Sequence, residues 1–284
     1  LAQLFYAKQS QRAGLFGWRP RRRPDVRPKR KGLLLEPLEP RLLLSASPGK
    51  DPLLFIHGFA GSMPTPAAAI DWLTQRGFSP AQLEIDPLLD TYDDLLATLG
   101  NAGYDEIKLY DDLDSLESSK TPLYVANWDW RVPVAPRDGV ADGTIETRED
   151  GTSLTAASIS DEIFETGLDY LGFYLRKAAE DWYLAYGTEL QSVDVIAHST
   201  GGLLSRSYIQ SAAYGGEFAF DTDGNGTVGA GEHLHLPTIN DLVQVGVPNE
   251  GVPSTWNLLH DNFAEKTSTK VMGLLVNLAY ETLQ

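Results

Sequence analysis

Short apolar segments alternate along this chain with amphipathic stretches, and this alternation is the strongest constraint on its fold. Four segments have the length and apolar character of buried strands: Leu53–Ile56, Leu123–Ala126, Val193–Ala197 and Leu242–Val247. Helical spacing of apolar residues occurs in Pro66–Gln75, Thr91–Leu99, Ile159–Tyr186 and Gly201–Ser211. Strands that alternate with helices predict an α/β fold, in which a parallel sheet is covered by helices on both faces.

The segments between these elements also carry signals. We expect Ser158 or Ser160 to cap the long helix that starts near Ile159, because a serine oxygen can accept a hydrogen bond from a free helical amide. Residues 133–152 are rich in glycine, aspartate and proline, which predicts a long loop. Helical spacing returns from Trp256 onward.

Charge divides the chain into two parts of opposite sign. Residues 1–50 contain 12 Lys or Arg and 3 Asp or Glu, whereas residues 51–284 contain 11 and 36. We therefore expect a basic, largely disordered leader over 1–50 and an acidic folded domain over 51–284. The net charge of −16 argues against nucleic acid as a partner, and no apolar run is long enough for a transmembrane segment. The absence of cysteine excludes disulfides and a thiol nucleophile.

The end of the leader contains a recognisable motif. Leu38–Ala46 (LEPRLLLSA) resembles the LEPR-XLL motif, which occurs near the start of very large, repeat-rich bacterial surface or secreted proteins. The resemblance implies an exported protein, which is secreted or held at the bacterial cell surface. It also implies that this chain is the N-terminal part of a longer protein. The first residue, Leu1, fits a fragment. The alternative is a basic tail that carries no localisation signal.

A serine follows a predicted strand and opens a predicted helix. The sequence Ala197-His198-Ser199-Thr200-Gly201 matches a nucleophile elbow, in which a sharp turn holds the serine hydroxyl above the sheet. Residues 197 and 201 must be small, because larger side chains would collide with the neighbouring strand and helix. We therefore predict that Ser199 is a catalytic nucleophile; the alternative is an ordinary strand-to-helix turn.

A second motif follows the first predicted strand. In His57-Gly58-Phe59, the glycine allows the backbone to approach a substrate carbonyl closely. We predict that the backbone N–H groups of Phe59 and Thr200 form the oxyanion hole that stabilises the developing negative charge. We expect His57 to support this loop rather than to transfer protons.

Four blocks resemble a known superfamily: Phe55–Phe59 (FIHGF), Trp128–Arg131 (WDWR), Val193–Leu203 (VDVIAHSTGGL) and Val247–Pro253 (VPNEGVP). In their order and spacing they are similar to α/β-hydrolases, in particular to lipases and lecithin:cholesterol acyltransferase-like enzymes. The resemblance implies an α/β-hydrolase fold, an acyl-enzyme on Ser199, and a lipid or other ester as substrate. It also implies a mobile cap, for which the loop over 133–152 and the helical segment after Gly251 are the candidates.

The acid and the base of a catalytic triad are missing from the sequence pattern. In this fold both follow the serine along the chain. The downstream histidines His233, His235 and His260 have no convincing strand-end acid before them, and His260 lies in a predicted helix. We therefore expect the acid and the base beyond residue 284, so that the fold is C-terminally incomplete in this chain.

Residues Asp221–Glu232 (DTDGNGTVGAGE) fit the pattern of a calcium-binding loop. The expected ligands are side-chain oxygens of Asp221, Asp223, Asn225 and Glu232 and the backbone carbonyl of Thr227. The loop resembles those of EF-hands and dockerins, which implies a structural Ca²⁺; the alternative is an Asp/Gly-rich surface turn. His233 and His235 directly follow, and in an extended segment they would lie on one side and could bind zinc.

These features give two competing hypotheses for function. The first is a secreted or surface-bound serine esterase or lipase, or a lipid O-acyltransferase. The second is a non-catalytic, calcium-stabilised binding or adhesion domain of a large surface protein, built on a degenerate hydrolase fold. The sequence does not decide between lipase and acyltransferase, because the cap and the cleft select water or an alcohol as acyl acceptor.

Overall fold

A five-stranded parallel sheet forms the centre of the part of the chain that the computed structural model describes, residues 51–87, 90–111, 113 and 119–251. In chain order the strands are β1 (Leu53–Ile56), β2 (Ser62–Pro64), β3 (Leu83–Ile85), β4 (Tyr104–Glu106), β5 (Thr121–Ala126), β6 (Ser192–His198), β7 (Glu217–Ala219), β8 (His233–His235) and β9 (Thr238–Val245). The α-helices are α1 (Asp93–Asn101), α2 (Ala156–Ile159), α3 (Gly167–Tyr186) and α4 (Thr200–Ile209). The leader with its LEPR-XLL motif, His260 and the predicted tail helix lie outside the described residues.

Helices cover both faces of this sheet, as the alternation of elements predicts. Along β1, Leu53 and Phe55 face a core cluster that includes Leu99 of α1. Leu54 and Ile56 point the opposite way, into a larger cluster that includes apolar residues of α3 and α4. Because β1 is buried on both faces, its sequence is a continuous apolar run rather than an alternating one.

The strand order reverses direction at β1. The order is β4-β5-β1-β6-β9, so the chain builds one side of β1 first and then crosses to the other. Ile56 at the end of β1 pairs with Ala197 near the end of β6, so both strands end at the same level. Ligands of open parallel sheets bind beyond the carboxyl ends of strands at such a reversal.

One predicted helix is wrong. Pro66–Gln75 forms turns and a single 3₁₀ turn, Asp71–Leu73, instead of an α-helix. Its apolar residues do not share one buried face, because Trp72 is buried whereas Ile70 and Leu73 are 87% and 66% exposed. Without a common buried face, the helical spacing has no packing energy to support it.

The predicted long helix is divided into two. α2 ends at Ile159, Glu162 has a left-handed backbone (φ 67°), and α3 begins only at Gly167. The cap of α3 is therefore Thr166, whose N–H donates to the Asp169 carboxylate at 2.7 Å, and neither Ser158 nor Ser160. The predicted helix Gly201–Ser211 corresponds to α4.

The predicted strand Leu242–Val247 corresponds to β9 with shifted bounds. The observed strand begins earlier, at Thr238, and ends at Val245. Thr238 pairs with Ser192 at the start of β6, so pairing with β6 rather than the local apolar run sets the beginning of β9.

Candidate active site

Ser199 occupies a sharp turn between β6 and α4. Its backbone has φ 51° and ψ −122°, a conformation that residues with a side chain rarely adopt. The Ser199 N–H donates to the carbonyl of Val245 in β9 at 2.9 Å, and the Ser199 carbonyl accepts from the N–H of Gly202 at 3.1 Å. The turn therefore continues the sheet on one side and starts the helix on the other, with the serine partly exposed at the carboxyl edge.

Close packing explains the small residues around Ser199. A Cβ on Gly201 would lie 2.6 Å from the carbonyl oxygen of Ile56, and a Cβ on Gly202 would lie 2.2 Å from Cγ2 of Val247. Ala197 is fully buried between the neighbouring elements. α4 can thus start directly behind β1 only because residues 201 and 202 are glycines.

The His57-Gly58-Phe59 segment lies directly against the serine. A Cβ on Gly58 would lie 2.7 Å from the Cβ of Ser199, so no larger residue fits without displacement. The Phe59 N–H makes no hydrogen bond within the described part of the chain. Thr200 is the first residue of α4, where a backbone N–H has no partner inside the helix. Both predicted oxyanion donors thus belong to segments that meet at Ser199.

Tyr92 connects the two segments, and sequence reasoning did not identify it. Its hydroxyl accepts a hydrogen bond from the Gly58 N–H at 3.1 Å and lies 2.8 Å from Nδ1 of His198. Burial raises the pKa of Tyr92 above its usual value, so the hydroxyl keeps its proton at neutral pH. The Gly58 amide is therefore committed to Tyr92.

His57 supports the loop from inside the protein. Its Nδ1 donates to the Gly58 carbonyl at 2.9 Å, and its Nε2 accepts from the Trp128 N–H at 3.2 Å. The ring is fully buried, and desolvation lowers the pKa of His57 from 6.5 to about 4. A neutral ring with both nitrogens occupied is suited to holding the loop and not to proton transfer.

The Trp-Asp-Trp-Arg block packs behind the same loop. The ring of Trp130 lies 4.5 Å from the ring of Phe59, and its Nε1 donates to the Ser62 carbonyl at 2.8 Å. Asp129 and Arg131 form a buried ion pair with an Nη2–Oδ2 distance of 2.6 Å. The Arg131 guanidinium also stacks 3.1 Å above the ring of Trp72. These contacts hold the block in place, and the block in turn holds the ring of Phe59 through Trp130.

No histidine among the described residues is placed to act as the base for Ser199. Both ring nitrogens of His57 are occupied, and His198 is hydrogen-bonded to Tyr92 through Nδ1. His233 and His235 lie on β8, which precedes the amino end of β9, whereas Ser199 follows the carboxyl end of β6. Because Thr238 pairs with Ser192, the length of the seven-residue strand β6, roughly 20 Å, separates the two ends. The triad base beyond residue 284 stays a prediction.

The loop over 133–152, one of the two cap candidates, is attached away from Ser199. The Ile145 N–H donates to the Gln210 carbonyl at 2.9 Å, and the Ile145 carbonyl accepts from the Ala212 N–H at the same distance. These contacts are at the C-terminal end of α4, about 15 Å along the ten-residue helix from Ser199. The other candidate, the segment after Gly251, lies outside the described residues.

The predicted calcium loop connects β7 to β8 and brings several acidic side chains together. Oxygens of Asp221, Asp223 and Glu232 lie within 4.8 Å of one another. Three atoms at that spacing fit within about 2.8 Å of a common point, close to the 2.3–2.6 Å of calcium–oxygen bonds. The fourth side chain, Asn225, accepts the Thr227 N–H at 2.9 Å through its Oδ1. The chemistry and spacing of the three carboxylates therefore fit Ca²⁺.

Comparison with known proteins adds no family or relative. No known protein family, no curated protein and no solved structure matches this chain. Among the described residues, none of the helices has the length and apolar composition that a membrane span requires.

Proposed function

We propose that this chain is a serine hydrolase that acts on carboxylic esters, as a lipase or esterase or as a lipid O-acyltransferase. The observation that carries the proposal is the position of Ser199, held at φ 51° between β6 and α4 with the Gly58 backbone packed against it. An α/β-hydrolase nucleophile needs this strained turn beside a loop that supplies amide donors. The LEPR-XLL-like segment supports a secreted or surface location for the enzyme.

The proposed reaction proceeds through an acyl-enzyme. Ser199 Oγ attacks the ester carbonyl carbon while its proton passes to the general base that we predict beyond residue 284. The Phe59 and Thr200 N–H groups donate to the carbonyl oxygen as it becomes negative. The alkoxide leaves with a proton from the base. Water or an alcohol then attacks the acyl carbon and gives its proton to the base, and the base returns a proton to Ser199 Oγ as the bond between Oγ and the acyl group breaks.

The Asp221–Glu232 loop is part of the proposal as a calcium site with a structural role. The three clustered carboxylates would hold the ion, together with the Asn225 side chain and the Thr227 carbonyl. The ion would stabilise the connection between β7 and β8. No catalytic step depends on it, because β8 lies at the opposite end of the sheet from Ser199.

A fluorophosphonate probe tests the proposal directly. The probe phosphonylates activated serines, so we expect it to label the full-length protein at Ser199. Labelling should disappear in Ser199→Ala and persist in Ser207→Ala, which removes a serine of the same helix whose hydroxyl donates to the Leu203 carbonyl. Peptide mapping by mass spectrometry identifies the labelled residue.

The same experiment distinguishes the competing hypothesis. If the complete polypeptide is folded and Ser199 is not labelled, the serine is not activated. That outcome would contradict the enzyme and favour a calcium-stabilised binding or adhesion domain.

A further inference from the structure

The β7–β8 hairpin presents a group of possible metal ligands outside the calcium loop. The two strands are antiparallel, with Glu217 directly opposite His235 and Ala219 opposite His233. Phe218 and Leu234 are buried, so the alternation of the strands directs Glu217, His233 and His235 to the other side, toward solvent.

The distances in this group are too long for hydrogen bonds but suitable for a shared ion. Oε1 of Glu217 lies 3.8 Å from Nε2 of His233 and 3.6 Å from Nε2 of His235. Two ligands at 2.0–2.1 Å from a tetrahedral zinc ion are separated by about 3.3 Å. Movements of a few tenths of an ångström in these exposed side chains bring each Glu217–histidine pair to that separation, and the ligand atoms of all three residues lie within 4.8 Å of one another.

A second carboxylate orients one of the imidazoles. Oε1 of Glu189 lies 2.7 Å from Nδ1 of His235 and accepts the His235 backbone N–H at 3.0 Å. With the proton on Nδ1, Nε2 of His235 keeps its lone pair directed at Glu217. Histidine ligands of zinc usually donate their other ring N–H to a carboxylate in this manner, and such partners strengthen metal binding.

We propose that Glu217, His233 and His235 form a zinc site, with Glu189 as the residue that positions His235. Two imidazoles and one carboxylate favour Zn²⁺ over Ca²⁺, which prefers a shell made only of oxygen. The three ligands come from both strands, so the ion cross-links the hairpin at the base of the calcium loop. Water completes the tetrahedron on the solvent side.

Zinc titration by calorimetry, in saturating Ca²⁺, tests the site. The full chain should bind one equivalent of Zn²⁺, and Co²⁺ should give the visible spectrum of a tetrahedral site. The variants His233→Ala and His235→Ala should abolish saturable binding, and Glu189→Gln should weaken it by about 10- to 100-fold. Glu149→Gln, which removes an exposed acid elsewhere, should leave the affinity unchanged.

Two results would overturn the assignment. One is zinc binding that survives in the double variant His233→Ala/His235→Ala, since an acidic surface would then suffice. The other is equal loss of zinc in Asp221→Asn, which would place the ion in the calcium loop. Unchanged circular dichroism of each variant establishes that the exposed substitutions leave the fold intact.

Discussion

At the scale of single residues, Ser199 shows how the fold maintains an unfavourable conformation. A non-glycine residue held at positive φ costs about 1–3 kcal/mol. Neighbouring interactions offset this cost, because the Ser199 N–H is hydrogen-bonded to β9 and the following residues begin α4. The positive φ of Ser199 is therefore consistent with the nucleophile role that we propose for it.

A glycine substitution measures this strain. We expect Ser199→Gly to raise the free energy of unfolding by about 1 kcal/mol, because the strain released exceeds the entropic cost of glycine, about 0.5–1 kcal/mol. Ser207→Gly is the matched control within α4 and should lower it by about 0.5 kcal/mol. Urea denaturation at pH 7 compares the two. If both substitutions lower stability equally, the strain at Ser199 is refuted.

His57 makes stability depend on pH. The pKa of His57 is about 4 in the folded protein, whereas its ordinary value is 6.5. Between these pH values the unfolded chain therefore binds more protons than the folded protein does. The stability that neutral His57 contributes to the fold is therefore fully present above about pH 6.5 and is lost as the pH falls to about 4. The shift corresponds to about 3 kcal/mol.

The variant His57→Gln isolates this contribution. Glutamine retains a donor and an acceptor but does not titrate. We expect wild type to lose about 3 kcal/mol more stability than His57→Gln between pH 7 and about pH 4, as measured by urea denaturation. Parallel pH profiles for the two proteins would contradict the role of the neutral ring.

At the scale of elements, the sequence predicts those whose burial pattern is local. The strands β1, β5 and β6 are mostly apolar and buried on both faces, and their predicted bounds differ from the observed ones by at most two residues. β4 was not predicted, because three residues show no period and its position depends on pairing with β5. The break before α3 depends on Asp169, which pairs with Arg148 from a distant loop.

The same distinction holds for the candidate site. The elbow at Ser199 and the loop at Gly58 are short local patterns, so each could be recognised, and the fold brings them into contact. Tyr92 could not be recognised, because its partner His198 is 106 residues away in sequence. No local pattern marks a tyrosine for such a bridge.

The calcium loop allows a prediction at the element scale. Ca²⁺ at about 100 times its dissociation constant should stabilise the protein by about 2.7 kcal/mol, because only the folded loop clusters the carboxylates. Thermal unfolding with and without Ca²⁺ measures this shift. It should vanish in Asp221→Asn and persist in Asp142→Asn, which alters an exposed aspartate outside the loop whose carboxylate also accepts a backbone N–H, that of Thr144. A shift that survives in Asp221→Asn would contradict the site.

At the scale of the whole molecule, unbalanced acidic charge is the main electrostatic feature. Residues 51–284 contain 36 acidic and 11 basic side chains, a formal net charge of −25. Several basic groups are in ion pairs with acids of the body: Arg131 with Asp129, Arg148 with Asp169, and Lys177 with Asp181. Because acids outnumber bases by 36 to 11 in this part of the chain, the mutual repulsion of the carboxylates opposes the compact state.

Salt should consequently stabilise the protein. Raising NaCl from about 0.01 M to about 0.15 M shortens the Debye length from about 30 Å to about 8 Å, which screens long-range repulsion while leaving the buried pair Asp129–Arg131 little affected. We expect the Tm to rise by a few degrees, measured with a chelator present so that no divalent ion contributes. Glucose at matched osmolality should produce a smaller rise, since it does not screen charge. A Tm that falls with salt would mean that attraction between charges outweighs the net repulsion. The arrangement of the acidic surface would then stabilise this fold, and its net charge would not be the dominant electrostatic effect.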